Sequence, residues 1–586
     1  MTYAFSANIW LYAAQTEVFA LNNFLNALLI RMAVHTFERI YHDKPTSDKA
    51  SLCCAFLSGL ALCNQHTSIF FIIPMAAHLL WYRHHHHRHL SLPFLVKLAM
   101  AFMVSFVFYA YLPYASIQNS AYSWGDLSSM KALIRHMLRS EYGTFKLAVE
   151  GVHADDVSTA YRLQLYLEHI LSETFLIGAF LAIVGMYCTV FQATHPKHKH
   201  KHKHKPSSSS SSLSRSRAII PIDLKTIRPV CRALFVSWLF YIIVFSWLNQ
   251  MNLTPLMQGV QERFYLQPNL TVFVFGNNEF DDYSHGFEHN FTDFVFFGLN
   301  IAGIGASYLC PHRGFVWTSL AFLPLLLNWS SLNFHDVHIV EDVGRAILTS
   351  MPKNAIIFVG GDVLSNPISY LQSCENMRAD VSVSHMMLMQ SEWYVPRMKR
   401  REPNNGIVLP GEVFNPFDKT KGFSSTQLMS ANVERRPTFL CGKLPLFAGD
   451  RTIEMADKLF STWRFGICSR VLPRAKPPTN LVRFYEKSWK SVPTVGRDAE
   501  FSPKSWEAAI ITDVWKRRRS LFTEVMELFE RAKQRKLPER KPLQKLAVQM
   551  ATMLLNTSTT VAQTTYRDPP NVLRMAQSIV VKQKNA

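Results

Sequence analysis

The sequence predicts a polytopic α-helical membrane bundle of about eight spans, followed by a soluble α/β domain with C-terminal helices. Three observations predict it. The 586 residues are 48% hydrophobic and only 18% charged, and the apolar ones gather in runs of bilayer-spanning length. Basic stretches punctuate those runs in short loops. From about residue 335 onward the composition becomes that of a water-soluble domain.

The predicted spans lie at 17–37, 48–65, 67–83, 92–113, 169–192, 229–250, 291–309 and 314–330, with Asn300, Pro311 and Pro324 interrupting the last two. The net charge of +20 does not point to nucleic acid, because much of it sits between apolar runs. Short basic loops mark the cytosolic side of a membrane protein. RIYHDK (39–44), RHHHHRH (83–89) and KHKHKHK (199–205) are such loops. The last runs on into six serines (207–212), and the whole stretch 193–228 reads as a solvated low-complexity linker rather than a metal site. Placing all three loops in the cytosol makes 48–83 two spans and puts their turn on the luminal side. The predicted division is 1–334 for the membrane region, 335–500 for a luminal α/β domain and 501–586 for a luminal helical segment.

Five glycosylation acceptors agree with that orientation: Asn252, Asn269, Asn290, Asn328 and Asn556 each begin an Asn-x-Ser/Thr triplet on the predicted luminal side. Six of the nine cysteines lie in or beside spans, where they read as small packing residues. Cys374, Cys441 and Cys468 lie in the tail, where an oxidising lumen permits one disulfide; Cys441 with Cys468 is the expected pair. The chain opens without a basic leader of the secretory type.

The tail has a readable plan. AIIFVGGD (355–362) is an apolar run ending in a Gly-Gly turn, NPISYLQSCENM (366–377) reads as a helix and DVSVSHMML (380–388) as a second strand. That is a βαβ unit without a GxGxxG pattern or a P-loop lysine, so it predicts support or selection of an acceptor rather than nucleotide binding. Residues 513–550 read as helical, with Lys516-Arg517-Arg518-Arg519 as a solvated face.

Ionisable and amide side chains at a membrane edge are costly and default to function. The stretch LCNQHTSIFFIIP (62–74) carries Asn64, Gln65 and His66 between two apolar runs. Glu17, Trp124 with Asp126, Glu141, and Glu262 with Arg263 fall on the same predicted luminal side. The bland reading of Asn64, Gln65 and His66 is glue between helices, and that of Glu262-Arg263 an ion pair at a helix end. Their collection on one side favours a pocket. An arginine offers a planar fork to phosphate, and a carboxylate can take the proton of an acceptor hydroxyl. No metal cage is visible.

WLYAAQTEVFALNNFLNALL, LSGLALCNQHTSIFF, YSWGDLSSMKALIRHMLRSEYGTF, LMQGVQERFYLQPN, MQSEWYVPRM and FSPKSWE resemble the transmembrane protein 260 family of protein O-mannosyltransferases. The long stretch from LTSMPKNAIIFVGGD to ENMRADVSV resembles it too. The resemblance runs from about residue 5 to about 520. It implies a GT-C-class glycosyltransferase of the endoplasmic reticulum membrane, multi-pass, with its C-terminal domain luminal. It implies a lipid-linked donor, dolichyl-phosphate mannose, used without a cofactor or metal. The implied acceptors are Ser or Thr of luminal domains, such as those of plexin-type receptors. Asn64, Gln65, His66, Trp124, Glu141, Glu262 and Arg263 are then expected at the donor, and Glu17 and Asp126 become the acidic candidates that position the acceptor. The family places a G-D-S-G-E-type acidic motif in a luminal loop ahead of the region where this chain starts. Nothing like it occurs near Met1, and the Gly-Gly-Asp of 360–362 lies in the tail. The expectation is a chain truncated at its start, or an inactive copy. The stretch 276–293 has no counterpart in the resemblance. A transporter would carry its charged groups between repeated halves, and no repeat is visible. A non-catalytic membrane chaperone or receptor would need no polar pocket.

Overall fold

The computed structural model describes the chain apart from residues 1–2, 4–5, 14, 16, 45–46, 87–89, 119–124, 139–156, 192–223, 276–324, 330–331, 402–405, 416–421, 443–458, 496–500, 560–568 and 585–586. The expected spans at 291–309 and most of 314–330, the lysine-histidine tract, and Trp124, Glu141 and Asn290 lie outside the described residues. Two compact units divide the chain: a helical unit of 1–114 and 130–333, and a sheet unit of 115–129 and 334–586.

The helical unit contains α1 (Ala7–Ala13), α2 (Val18–Tyr41), α3 (Ser47–Asn64), α4 (Ile69–His85) and α5 (Leu92–Val104). After these come α6 (Met130–Met137), α7 (Thr159–Glu173), α8 (Ile177–Met186), α9 (Leu224–Leu248), α10 (Pro255–Glu262) and α11 (Leu266–Phe275). Leu25, Leu29, Ala33, Phe37 and Ile40 recur every three to four residues along α2 and bury one stripe of it. Phe24 and Val34, on the opposite side, are exposed. Gly59 of α3 lets the backbone near Phe102 approach, since a Cβ there would fall on the Ser105 hydroxyl. Such small-residue contacts are how helices pack closely in an apolar solvent.

Three described helices are long and apolar enough to cross a membrane: Val18–Tyr41, Leu92–Ile117 and Arg228–Leu248. A fourth results if Thr159–Glu173 and Gly178–Met186, bent by 113°, count as one span. These helices suggest membrane association, and Leu92–Ile117 leaves Met100, Met103, Val107, Phe108 and Tyr111 exposed. Among the described residues these three or four are the candidates, not eight. The expected span at 48–65 is α3, whose apolar run is diluted by Asp48, Lys49 and several serines, and that at 67–83 is α4, only 17 residues long. The one expected at 169–192 breaks near Phe175 and Leu176, both at positive φ, so the continuous apolar run is not one straight helix.

The sheet unit is built on five strands, β1 (Ile356–Val359), β2 (Ser382–His385), β3 (Thr438–Cys441), β4 (Phe460–Phe465) and β5 (Cys468–Pro473), in the order β2-β1-β3-β5-β4. β1 pairs in parallel with β2 and β3, and β5 runs antiparallel to β3 and β4. Every residue of β1 is buried, as a strand covered on both faces requires. Ile357 and Val359 face a core shared with α12 (Ile339–Ser350) and α13 (Asp362–Ser373). Ile356 and Phe358 face a second core, with α14 (Tyr394–Arg401) and α15 (Ser425–Asn432). α16 (Leu481–Lys490) and the hairpin of α17 (Trp506–Gln534), α18 (Arg540–Thr559) and α19 (Pro570–Lys584) join the first core, where Trp515, Leu521, Phe522 and Met550 are almost wholly enclosed. Each such side chain stabilises the fold by about 1.5–3 kcal/mol. A disulfide joins Cys441 at the end of β3 to Cys468 at the start of β5.

The basic run of α17 corrects one expectation. Arg518 is buried, donating to the carbonyls of Val492 and Pro493 at 2.8 and 3.1 Å, and Arg517 donates to that of Ile467 at 2.7 Å. These two arginines tie α17 to the loops beneath it; they are not a solvated face.

Candidate functional site

In the helical unit the polar groups converge on one buried cluster. The Ser158 hydroxyl caps α7 by accepting the Tyr161 N–H, and the helix then turns Arg162, Tyr166, His169, Ile170 and Glu173 inward at spacings of three to four. Arg162 donates to the Met251 carbonyl at 2.8 Å, and the Tyr166 hydroxyl accepts from the Trp238 indole at 2.9 Å. His169 stands at the centre. Its Nε2 lies 3.4 Å from the Asn8 amide nitrogen and 3.2 Å from that of Asn269. Both partners are N–H donors, so Nε2 accepts and the ring proton sits on Nδ1. Nδ1 faces the Glu262 carboxylate at 3.9 Å. The Asn8 backbone N–H donates to Glu173 (3.1 Å to Oε2), and the Asn8 amide also donates to the Glu262 carbonyl at 2.9 Å.

The cluster opens at Arg263. This residue follows Glu262, where α10 passes into α11, and its Nη1 donates to Glu17 Oε1 at 3.0 Å. The guanidinium lies over Phe19 and Phe264, 5.4 and 5.5 Å from their ring centroids, and its Nε has no hydrogen-bond partner. The Glu17 and Arg263 side chains are 38% and 25% exposed, so this pair is the reachable rim of an otherwise enclosed network. Glu17 sits at the N-terminus of α2, where a carboxylate is favoured by the helix dipole. Asn64 joins the rim by donating to the Val18 carbonyl at 3.0 Å.

The structure therefore brings Glu17, Asn64, Glu262 and Arg263 together. Gln65 turns back on itself, donating to the Thr67 hydroxyl at 3.1 Å. His66 donates through Nε2 to the Met137 carbonyl at 2.9 Å. Asp126 lies in the sheet unit, where its Oδ1 accepts from the Ser128 hydroxyl and N–H at 2.6 and 3.1 Å and from the Ser116 hydroxyl at 3.3 Å. The Ser128 hydroxyl holds its carboxyl below the usual range, which makes it a turn-forming acceptor and a poor base.

Asn269 corrects a second expectation. It is 1% exposed, inside α11, with its amide against His169, so it is a member of the cluster and not a surface acceptor for glycan. Asn252 and Asn328 are half-buried and Asn556 is exposed. His169 and Glu173 escaped the sequence reading, although EHILSE (168–173) places three ionisable groups beside an apolar run, which is the signal to look for. Asn8 carries no such signal. Among the described residues no group of three or more His, Cys, Asp or Glu is placed to hold a metal ion.

Helices of membrane-spanning character around a buried polar cluster with an arginine at its rim, joined to a mixed α/β sheet domain, define a class: a membrane-associated helical protein with an appended sheet domain. Comparison with known proteins narrows it. Residues 1–89 match the N-terminal domain of the protein O-mannosyl-transferase TMEM260, and residues 340–413 match the TMEM260-associated domain 2. One match falls in each unit, and together they show the resemblance to the TMEM260 family that the motifs carry. The protein O-mannosyl-transferase TMEM260 of Mus musculus is 27% identical over 544 residues, covering 88% of this chain and 66% of the mouse protein. The protein O-mannosyl-transferase of the same name from Dictyostelium discoideum is 25% identical over 488 residues, covering 80% of this chain and 54% of its own length. The chain thus spans between about half and two thirds of the length of these relatives. No solved structure matches the chain.

Proposed function

We propose that this chain is a glycosyltransferase that moves mannose from dolichyl-phosphate mannose to the hydroxyl of Ser or Thr in acceptor proteins, within the GT-C class. The relatives' names support the sugar and the reaction, and the geometry supports a place for it at the Glu17–Arg263 rim. The observation that carries the reading is the partly exposed guanidinium of Arg263, fixed by Glu17 and lying over two aromatic rings. A fixed, partly exposed arginine binds a phosphate at little entropic cost.

In the proposed step the acceptor oxygen bonds to mannose C1 while the bond from C1 to the phosphate oxygen breaks. Dolichyl phosphate leaves with that electron pair, its growing charge held by Arg263. The hydroxyl proton passes to the Glu17 carboxylate, whose Oε1 is held by Arg263 and whose Oε2 is left to receive it. Asn64 supports the donor from the end of α3. Luminal domains of membrane proteins, plexin-type receptors among them, are the proposed acceptors, and the endoplasmic reticulum membrane is the proposed site. Arg263→Ala tests this in the full chain, supplied with dolichyl-phosphate mannose and a Ser/Thr peptide. Transfer should fall about a hundredfold, or about 2.7 kcal/mol of transition-state stabilisation, at unchanged abundance. Wild-type transfer by that variant would overturn the assignment.

A further inference from the structure

We propose that the carboxyl edge of the parallel strands in the sheet unit binds a neutral, hydroxyl-rich ligand, a hexose unit, between the first turn of α13, the end of β1 and His385. The inference concerns a different unit and does not rest on the transfer proposed above.

The topology creates the place. β1 has β2 on one side and β3 on the other, with α13 on one face and α15 on the opposite face. Strand order therefore departs in both directions from β1, and ligands of open α/β sheets bind where that happens, at the carboxyl ends. Backbone lines this edge closely. Gly442, at φ +90°, comes so near the Gly360 carbonyl that a Cβ would collide with it. Gly361, at φ +88°, would point a Cβ into space with no atom within 4 Å. It precedes α13, a helix of 12 residues whose first-turn amides receive no side-chain cap.

Two polar groups beside that turn are enclosed and unsatisfied. Ser365 has 0% exposure and its hydroxyl has no hydrogen-bond partner. Ile368, one turn further on, packs in the core with Ile357 and Val359, so Ser365 faces the sheet at its carboxyl end. His385 ends β2 directly beside Val359, and Val381 and Val383 of the same alternation pack in the α13 core. Its ring thus lies on the α13 face, and its Nδ1 also lacks a partner. Buried polar groups are nearly always hydrogen-bonded, so two orphans at one uncapped helix start point to a ligand that completes them.

The charge selects the ligand. Burial pushes the His385 imidazole down, leaving it uncharged at neutral pH, and the charge that bears on it is the Asp362 carboxylate. Among the described residues no cation pairs with Asp362, and a carboxylate without one disfavours phosphate. It accepts well from hydroxyls, while the amides, Ser365 and His385 can serve the ring and vicinal oxygens of a sugar.

The test uses the full chain in a sugar-free detergent, with methyl α-mannoside followed by saturation-transfer NMR and inorganic phosphate as competitor. Mannoside should bind, equimolar phosphate should not displace it, and Asp362→Asn and Ser365→Ala should each weaken it about five- to tenfold. Ser365→Ala should not lower the melting temperature, because it removes a hydroxyl that lacks a partner, so lost binding would not be lost fold. Arg263→Ala should leave mannoside binding intact, which separates this site from the rim of the helical unit. Displacement by phosphate, binding that survives both substitutions in the sheet unit, or no binding by the parent chain would each overturn the proposal.

Discussion

The two units use arginine in different ways. In the sheet unit Arg518 is 2% exposed, and it spends its Nη2 on two backbone carbonyls while its guanidinium covers the Trp489 ring at 4.8 Å. In the helical unit Arg263, 25% exposed, is held by one carboxylate and lies over two rings. The first is enclosed and anchored by backbone carbonyls that cannot leave it, so it serves the fold. The second is oriented by a carboxylate at a partly exposed rim, which is the state a binding group needs. Each guanidinium leaves its Nε unpaired, so spare hydrogen-bond capacity does not tell the two apart; exposure and the kind of partner do, Arg263 being 25% exposed on a carboxylate.

Removing Arg518 should give the largest effect on stability. Arg518→Ala leaves the Val492 and Pro493 carbonyls unpaired and a cavity against Trp515, at about 3–4 kcal/mol. Hydrogen exchange should show the loss in the sheet unit, with transfer per folded molecule unchanged. A loss below about 1 kcal/mol would mean that the carbonyls find water instead, and the contrast with Arg263 would fail. Burial pushes the Arg518 guanidinium down to about 10, so it stays charged at neutral pH and its pairing matters there.

A smaller effect is expected at the centre of the polar cluster. His169→Ala strands the Asn8 and Asn269 amides and should destabilise the helical unit by about 2 kcal/mol. His169→Gln, which can still accept from an amide, should recover part of it. Thermal unfolding of the two variants in detergent decides the point. Equal midpoints for both would show that the imidazole is not the acceptor that holds the amides.

How much of this was legible beforehand follows from the physics of each signal. The βαβ unit was legible because β1 is covered on both faces and reads as an unbroken apolar run before Gly360-Gly361. The pairing of Glu17 with Arg263, 246 residues apart, was foreseeable only as a shared side of the membrane, since no local pattern encodes a contact at that separation. Among the described residues the apolar run at 169–192 is not one straight span, because hydropathy does not sense where a chain bends, as it does after Glu173. The sequon at Asn269 misled for a similar reason: the triplet fixes chemistry, not exposure, and α11 buries it. The basic run at Arg517-Arg518 looked solvated because charge suggests water until carbonyls are brought to meet it.

The smallest effect concerns an arginine that lies between these extremes. Arg378 grips Asp380 at 2.7 and 2.9 Å and also donates to the carbonyls of Leu348, Met351 and Pro352. The pair closes the end of α12 against the start of β2. The Arg378 hydrogen bonds, with the Asn354 N–H behind them, hold the Asp380 carboxyl well below the usual carboxylate range. Its folded pKa is depressed, so its contribution is complete above the unfolded value of about 3.9 and is lost as pH falls through the lower folded value. The side chain is 29% exposed, and solvent screening limits the contribution to about 1 kcal/mol. Asp380→Asn should therefore lower the denaturant midpoint of the sheet unit modestly at pH 7. The gap between variant and parent should hold down to about pH 4 and narrow below it, since the unfolded parent then binds a proton that the folded carboxylate does not. A gap that stays constant to about pH 2 would show that Asp380 acts through shape rather than charge, and would place Arg378 with Arg518 as an arginine satisfied by carbonyls.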